Sequence, residues 1–334
     1  MFKVGVVGCG GVGLRHSLAY QSHPESELVC VCDMVKEKAD ARAQELGVKA
    51  YYSLKDMLTA EEDLDAVGVI TADNLHFEPT MEALEAGKHV LVEKPLSLDI
   101  KEAEQMVEKA QEKNVQLAIN YNRRFAHPYL KAKEYIQNGE LGDIAYVMMK
   151  LSQGGPASSP KGKYYLLFEL QSHSMDMMRH LGGDIKEVSA HMAAPRAHQA
   201  RDGEEVVYTS ISISMKFAEE RVGTLMASWD SSYTHPIEFV EVCGNKAYMR
   251  VDNIVEGISL YPHGDQTVRV WKPSIFDAEA LTFNNIFGYR VHAFVSDMVA
   301  GREPAPTGMD GLKALQAIEA AIESFEEKRV VTIT

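Results

Sequence analysis

The chain has 334 residues, longer than most single domains, which favours two domains that each bury a core. With 34 Lys and Arg against 48 Asp and Glu the formal charge is −14 at pH 7, which disfavours nucleic-acid and anionic-membrane partners and suits the handling of small molecules. Cys9, Cys30, Cys32 and Cys243 lack metal-ligand spacing and no apolar run reaches the roughly 18 residues of a membrane span, so reduced core thiols, no bound metal, no targeting segment and a cytoplasmic location are expected.

In chain order, the apolar run 2–7 predicts a strand that passes directly into Gly8-Cys9-Gly10-Gly11-Val12-Gly13. Gly8 permits a tight turn, Gly10 lets backbone approach a pyrophosphate, and Gly13 lets the next helix pack close on the strand. The pyrophosphate then rests on that helix's N-terminus, where unpaired N–H groups favour negative charge. Asp33 closes the second apolar run, 28–32, at the spacing from which a carboxylate accepts hydrogen bonds from a ribose diol. This order of strand, glycine turn, helix and acidic residue predicts a dinucleotide site, with NAD preferred because of the Asp33 charge.

Beyond Asp33 the pattern alternates. A helix over 36–46 stops at Gly47, a short strand covers 50–52, and a helix follows at 54–58. Strands at 65–71, 89–94 and 115–121 are separated by a helix over 79–86, ended by Gly87, and by a helix behind the capping-box pair Asp99 and Glu102. Short strands, apolar on both faces and alternating with helices, predict a doubly wound parallel sheet over residues 1–122.

Residues 123–334 read differently. After a helix at 129–138, a strand at 145–151 and a Gly/Ser/Pro/Lys-rich loop at 153–163, a helix over 166–181 precedes strands without intervening helices. Ser210 to Phe217 alternates perfectly, as an antiparallel strand with one buried face should, and strands at 222–229, 237–243, 247–251, 258–261 and 267–271 extend the sheet. Helices at 286–300 and 310–328 and a strand at 330–333 end an α+β domain with a large open, mostly antiparallel sheet. The run 237–242 does not alternate cleanly, which suggests apolar side chains on both faces and an oligomer interface.

Ligands in an open α/β sheet gather at the carboxyl ends of strands. Thr71, Ala72, Asn74 and His76 follow one strand, and Glu93-Lys94-Pro95 ends another; with Met34, these complete the expected cofactor contacts. A lysine at the end of a buried strand requires a partner, and the following proline holds its backbone extended. In the second domain, Glu169, His173 and Asp176 have the spacing of one helical face, suited to proton transfer or, less well, to half of a metal site.

These residues carry a resemblance to the glucose-fructose oxidoreductase, inositol dehydrogenase and MocA (Gfo/Idh/MocA) superfamily over essentially the whole chain. It rests on Val6 to Gly13, on Ala86-Gly87-Lys88-His89-Val90-Leu91-Val92-Glu93-Lys94-Pro95, on Tyr121-Asn122-Arg123-Arg124-Phe125, on Ser172-His173-Ser174-Met175-Asp176 and on the Trp229 strand. The resemblance implies an N-terminal Rossmann domain, and a C-terminal domain through whose sheet homodimers or homotetramers pack. It implies an NAD-dependent dehydrogenase acting on a secondary alcohol of a sugar, sugar derivative or cyclitol. Lys94 and His173 would work on the substrate hydroxyl, assisted by Glu169, with Asn122, Arg123 and Asp176 lining the pocket. Two departures are Glu169, where many relatives have Asp, and Gln171, where they have Gly. An NAD-dependent glycosidase using transient oxidation, or a dinucleotide- or sugar-sensing regulator, are the alternatives within the same fold.

Overall fold

The computed structural model describes residues 1–154, 162–195, 206–232, 236–274, 276–277 and 282–333. They form two compact units: Met1–Asn122 with Asn284–Lys313, and Arg123–Phe283 with Ala314–Thr334.

The first unit is built on six strands, β1 (Phe2–Val7), β2 (Ser26–Cys32), β3 (Lys49–Tyr51), β4 (Ala66–Val69), β5 (His89–Val92) and β6 (Leu117–Ile119), in the order β3-β2-β1-β4-β5-β6. All five pairings are parallel. Helices α1 (Gly11–Ser22), α2 (Lys36–Leu46), α3 (Leu54–Ala60), α4 (Phe77–Glu85) and α5 (Ile100–Glu112) connect them. The order of strands reverses between β1 and β4, so the carboxyl ends of these two strands flank the crevice where such sheets bind ligands. Strands β4 and β6 are buried throughout, because helices cover both faces. A helix from much later in the chain, Asn285–Val299, completes this core: its Val291, Phe294 and Val295 are fully buried in the same cluster as Val4 and Val6. Its Arg290, also fully buried, donates to the carbonyls of Ile119 and Pro306 at 3.1 and 3.2 Å. Sequence order had grouped this helix with residues 123–334; its apolar face belongs with β1.

In the second unit come α6 (His127–Gln137), β7 (Ile144–Ser152), α7 (Tyr165–Glu169), α8 (Gln171–Gly182), β8 (Ile185–Ala193), β9 (Ser210–Phe217), β10 (Val222–Ser228), β11 (Glu238–Gly244), β12 (Ala247–Asp252), β13 (Gly257–Pro262), β14 (Arg269–Trp271) and β15 (Val331–Thr332). With Asn285–Val299 as α9, the last helix is α10 (Gly308–Glu327). The sheet order is β14-β13-β12-β11-β7-β10-β9-β8-β15, antiparallel except for the β7–β10 pair. Helices α6 and α8 cover one face. The other presents Met226 (51% exposed) and Tyr261 (39% exposed), together with half-buried Met148, Phe239 and Tyr248.

Three local departures from the pattern have physical causes. Strand β8 escapes an alternation test because its register shifts between Ile185 and Glu187, so buried Ile185, Val188 and Ala190 do not share one period of two. The helix expected over 166–181 is two helices, interrupted at Leu170. Strand β11 alternates regularly, with Glu238, Val240 and Val242 inward and Phe239, Glu241 and Cys243 outward; its irregular look comes from the buried charge at Glu238. Part of the loop read at 153–163, residues 155–161, lies outside the described residues.

Candidate functional site

The glycine turn has the geometry of a phosphate cradle. Gly8 has φ +104°, and a Cβ there would lie 2.2 Å from the Ile70 carbonyl oxygen; at Gly13 a Cβ would lie 1.9 Å from the Gly8 carbonyl oxygen. Both positions therefore require glycine. At Gly10 and Gly11 a Cβ would meet nothing within 4 Å, so open space lies beside the backbone at the start of α1. The first-turn N–H groups of Gly11, Val12 and Gly13 precede the helix's own hydrogen-bond ladder, and no acidic side chain occupies that turn. Asp33, at the end of β2, accepts from the backbone N–H of Cys9 and of Val35, each at 2.9 Å. Each carboxylate oxygen retains a second lone pair for a ribose hydroxyl. Met34 beside it is 79% exposed. Arg42, which the sequence reading missed, donates to the Cys9 carbonyl at 3.2 Å, so residue 9 is held at both its N–H and its C=O. Burial, with the Asp33 charge adding to it, pushes the Cys9 thiol up to about 11, which keeps it protonated. These features fit a dinucleotide pyrophosphate and ribose.

Around the ends of β4 and β5, the expected contacts divide. Thr71 is half-buried and its hydroxyl donates to the Leu75 carbonyl at 2.8 Å, while Ala72 and Asn74 are exposed. His76 is 1% exposed: Nδ1 lies 2.7 Å from the Pro95 carbonyl and Nε2 3.3 Å from that of Thr71. Its ring thus serves loop backbone, and burial holds its pKa below the ordinary histidine value against the pull of the two carbonyls. Glu93 is 8% exposed and accepts the Lys94 backbone N–H at 3.1 Å, with His16 Nε2 at 2.9 Å from its other oxygen. Lys94 is half-buried, and its bond to Pro95 is cis. Asn122 is 1% exposed, and its Oδ1 has no hydrogen-bond partner among the described residues.

In the second unit, His173 is 9% exposed on α8, a helix whose first eight residues are all buried. The interruption at Leu170 puts half-buried Glu169 on the preceding helix, so ideal i,i+4 spacing does not govern the pair. Asp176 is committed to Arg124, which donates to both of its oxygens, Nε to Oδ2 at 2.9 Å and Nη2 to Oδ1 at 2.5 Å. Arg123, expected to line the pocket, is 4% exposed and donates through Nη1 to Glu238, which also accepts the Tyr129 hydroxyl. That pairing ties Arg123 to α6 and β11 and gives it a structural task. Among the described residues, no group of three or more His, Cys, Asp or Glu side chains is arranged to hold a metal ion.

Comparison with known proteins adds to this geometry. The profile described as oxidoreductase family, NAD-binding Rossmann fold (GFO_IDH_MocA) matches residues 2–121, and that of the GFO/IDH/MocA C-terminal domain matches residues 129–250. The chain is 27% identical to the myo-inositol 2-dehydrogenase of Thermotoga maritima, covering 99% of this chain and 98% of that protein. To the scyllo-inositol 2-dehydrogenase (NAD(+)) of Bacillus subtilis it is 28% identical, over 97% and 94%. The solved levoglucosan dehydrogenase in complex with NADH and levoglucosan superposes with a TM-score of 0.89 at 22% identity, over 99% of each chain, which shows the shared fold.

Proposed function

The chain belongs to the Gfo/Idh/MocA family of NAD-binding oxidoreductases, and on that premise we propose that it oxidises a secondary alcohol of a sugar, sugar derivative or cyclitol. The observation that carries the substrate class is its similarity, over nearly its whole length, to proteins named inositol 2-dehydrogenases.

NAD, when bound, supplies the two-electron acceptor. Gly8 to Gly13 hold the pyrophosphate by backbone N–H groups, and Asp33 holds the adenosine ribose. The reaction then asks the protein for two things: a base for the hydroxyl proton and positive charge for the developing alkoxide. His173 takes the proton on its imidazole, a group suited to this near neutrality. Lys94 holds the same oxygen and stabilises its growing negative charge. Glu169 orients His173. Asn122 and Asp176 contact the other hydroxyls of the polyol, Asp176 in a fixed direction because Arg124 grips it on both oxygens. Arg123 braces the fold instead.

The test is a panel of sugars, glycosides and cyclitols with NAD⁺, read as NADH absorbance, followed by single substitutions. His173→Ala and Lys94→Ala should each lose at least about a hundredfold in kcat while still binding NADH, since loss of a general base costs about 10²- to 10⁴-fold. Near-normal kcat in both variants would remove these residues from the chemistry and favour a sensing role.

The exposed face of the nine-stranded sheet, with Met226 and Tyr261 outward, is the surface through which the chain assembles as a homodimer or homotetramer. A light-scattering mass of 37.1 kDa at micromolar concentration would contradict assembly.

A further inference from the structure

We propose that His16 is a positioning residue that fixes Lys94 through the carboxylate of Glu93, with Asn120 as its second anchor. The proposal rests on the reading of Lys94 given above.

His16 sits on α1, the helix of the glycine turn, and is fully buried. Its Nε2 lies 2.9 Å from Glu93 Oε1, and Asn120 Nδ2, just past the end of β6, donates to the same oxygen at 2.5 Å. The other oxygen, Oε2, accepts the backbone N–H of Lys94 at 3.1 Å. One carboxylate therefore joins three elements: the cofactor helix, the end of β6 and the residue that carries the amine. Backbone bonds set the frame, from Glu93 N to the Val69 carbonyl at 3.0 Å and from Asn120 N to the Val92 carbonyl at 2.8 Å. The Phe287 ring meets the His16 ring edge-on at 6.3 Å between centroids, which limits rotation of the imidazole.

The tautomer fits the task. Donation from Nε2 to the carboxylate leaves Nδ1 as a bare lone pair, and Nδ1 is the ring nitrogen with no partner among the described residues. Burial by itself drives the Glu93 carboxyl up; the His16 and Asn120 hydrogen bonds and the nearby Lys94 charge outweigh it and hold Glu93 below the ordinary carboxylate range. The acceptor for the Lys94 N–H therefore stays ionised. A purely structural carboxylate is a poor explanation, because apolar residues of similar volume fill such a site at no loss of stability. What they cannot do is fix the direction of the Lys94 backbone.

The experiment is a double-mutant cycle with a substrate-independent readout beside it. His16→Leu removes the donor, and His16→Gln offers a side-chain N–H at comparable reach. We expect His16→Leu to lower kcat on the best substrate of the polyol panel by roughly tenfold to a hundredfold, the cost of a misplaced catalytic group. NADH affinity by fluorescence titration should move by less than about threefold, and His16→Gln should recover most of the loss. Hydrogen exchange at the Lys94 amide should quicken in His16→Leu and slow again in His16→Gln. Combined with Lys94→Ala, His16→Leu should cost nothing further, because both act through one group.

Unchanged kcat and exchange in His16→Leu would overturn the inference. So would losses that multiply with those of Lys94→Ala, or a fall in NADH binding that matches the fall in kcat and is not rescued by Gln. Normal turnover in Lys94→Ala itself would instead overturn the role given to Lys94, and this inference with it.

Discussion

Glu93 and Glu238 are the same residue type, both buried, and their networks do opposite things. Glu93 is held by His16, Asn120 and a backbone N–H, and its pKa lies below the ordinary carboxylate value despite burial. Glu238, fully buried, is held by Arg123 and Tyr129, yet burial outweighs them and raises its pKa. One network ends on the backbone of Lys94; the other ends on a 3-10 turn, a helix and a strand of the scaffold. A buried carboxylate is therefore no sign of chemistry in itself. What distinguishes the two is the residue at the far end of each network.

The largest expected effect tests the scaffold half of this contrast. Glu238→Ala leaves the Arg123 guanidinium buried without its counter-ion, so stability should fall by about 3–5 kcal/mol in urea unfolding. Turnover of the remaining folded protein should be little changed; a loss of kcat with normal stability would erase the distinction. Asp33, a third carboxylate and only half-buried, sharpens it through selectivity. Facing a 2′-phosphate at about 4 Å it costs on the order of 4 kcal/mol per unit charge at an effective dielectric near 20. After screening, kcat/KM should favour NAD over NADP by roughly tenfold to a thousandfold, and Asp33→Ser should narrow that gap. Equal kcat/KM in the wild-type protein would refute this.

Glu93→Gln comes next. Its amide must present N–H₂ to one of the donors that now share the carboxylate, so kcat should drop roughly tenfold and stability by about 1–3 kcal/mol. A variant that loses stability alone would make Glu93 another Glu238. The smallest effect is a pH slope beside Glu93. Because burial depresses the His76 pKa in the folded state, the unfolded chain takes up the proton first. The stabilisation is present above about pH 6.5, the unfolded value, and is lost as pH falls. The Tm should therefore be lower at pH 5.5 than at 7.5, and His76→Asn should flatten that difference; a Tm that rises on acidification would reverse the sign.

Much of the first unit was legible because its signals are local. A strand, two sterically obligatory glycines and an acid about twenty residues on need no knowledge of the rest of the chain. Features set by distant partners were not. Nothing near Arg123 announces Glu238, and nothing near Asp176 announces Arg124, so both residues were read as open to a ligand. The bulge in β8 hid a strand, and the interruption at Leu170 undid an i,i+4 argument. His16 did leave a trace. It falls with Gly13, Ser17 and Tyr20 on the buried stripe of α1, where a histidine calls for a partner.

The late helix that supplies Val291, Phe294 and Val295 to the first core also sets an order of assembly during synthesis. When residue 122 leaves the ribosome all six strands of the first sheet exist, but the apolar surface around Val4 and Val6 remains open to solvent. It closes only after Val299 has emerged, and at about 5–20 residues per second that wait is on the order of ten to forty seconds. Meanwhile the nascent chain carries an exposed hydrophobic groove, a substrate for chaperones, and Arg290 cannot yet reach the Ile119 carbonyl. A polypeptide cut at residue 122 would stay permanently in that state. The dinucleotide-binding half of this enzyme is first to be translated and among the last to be finished.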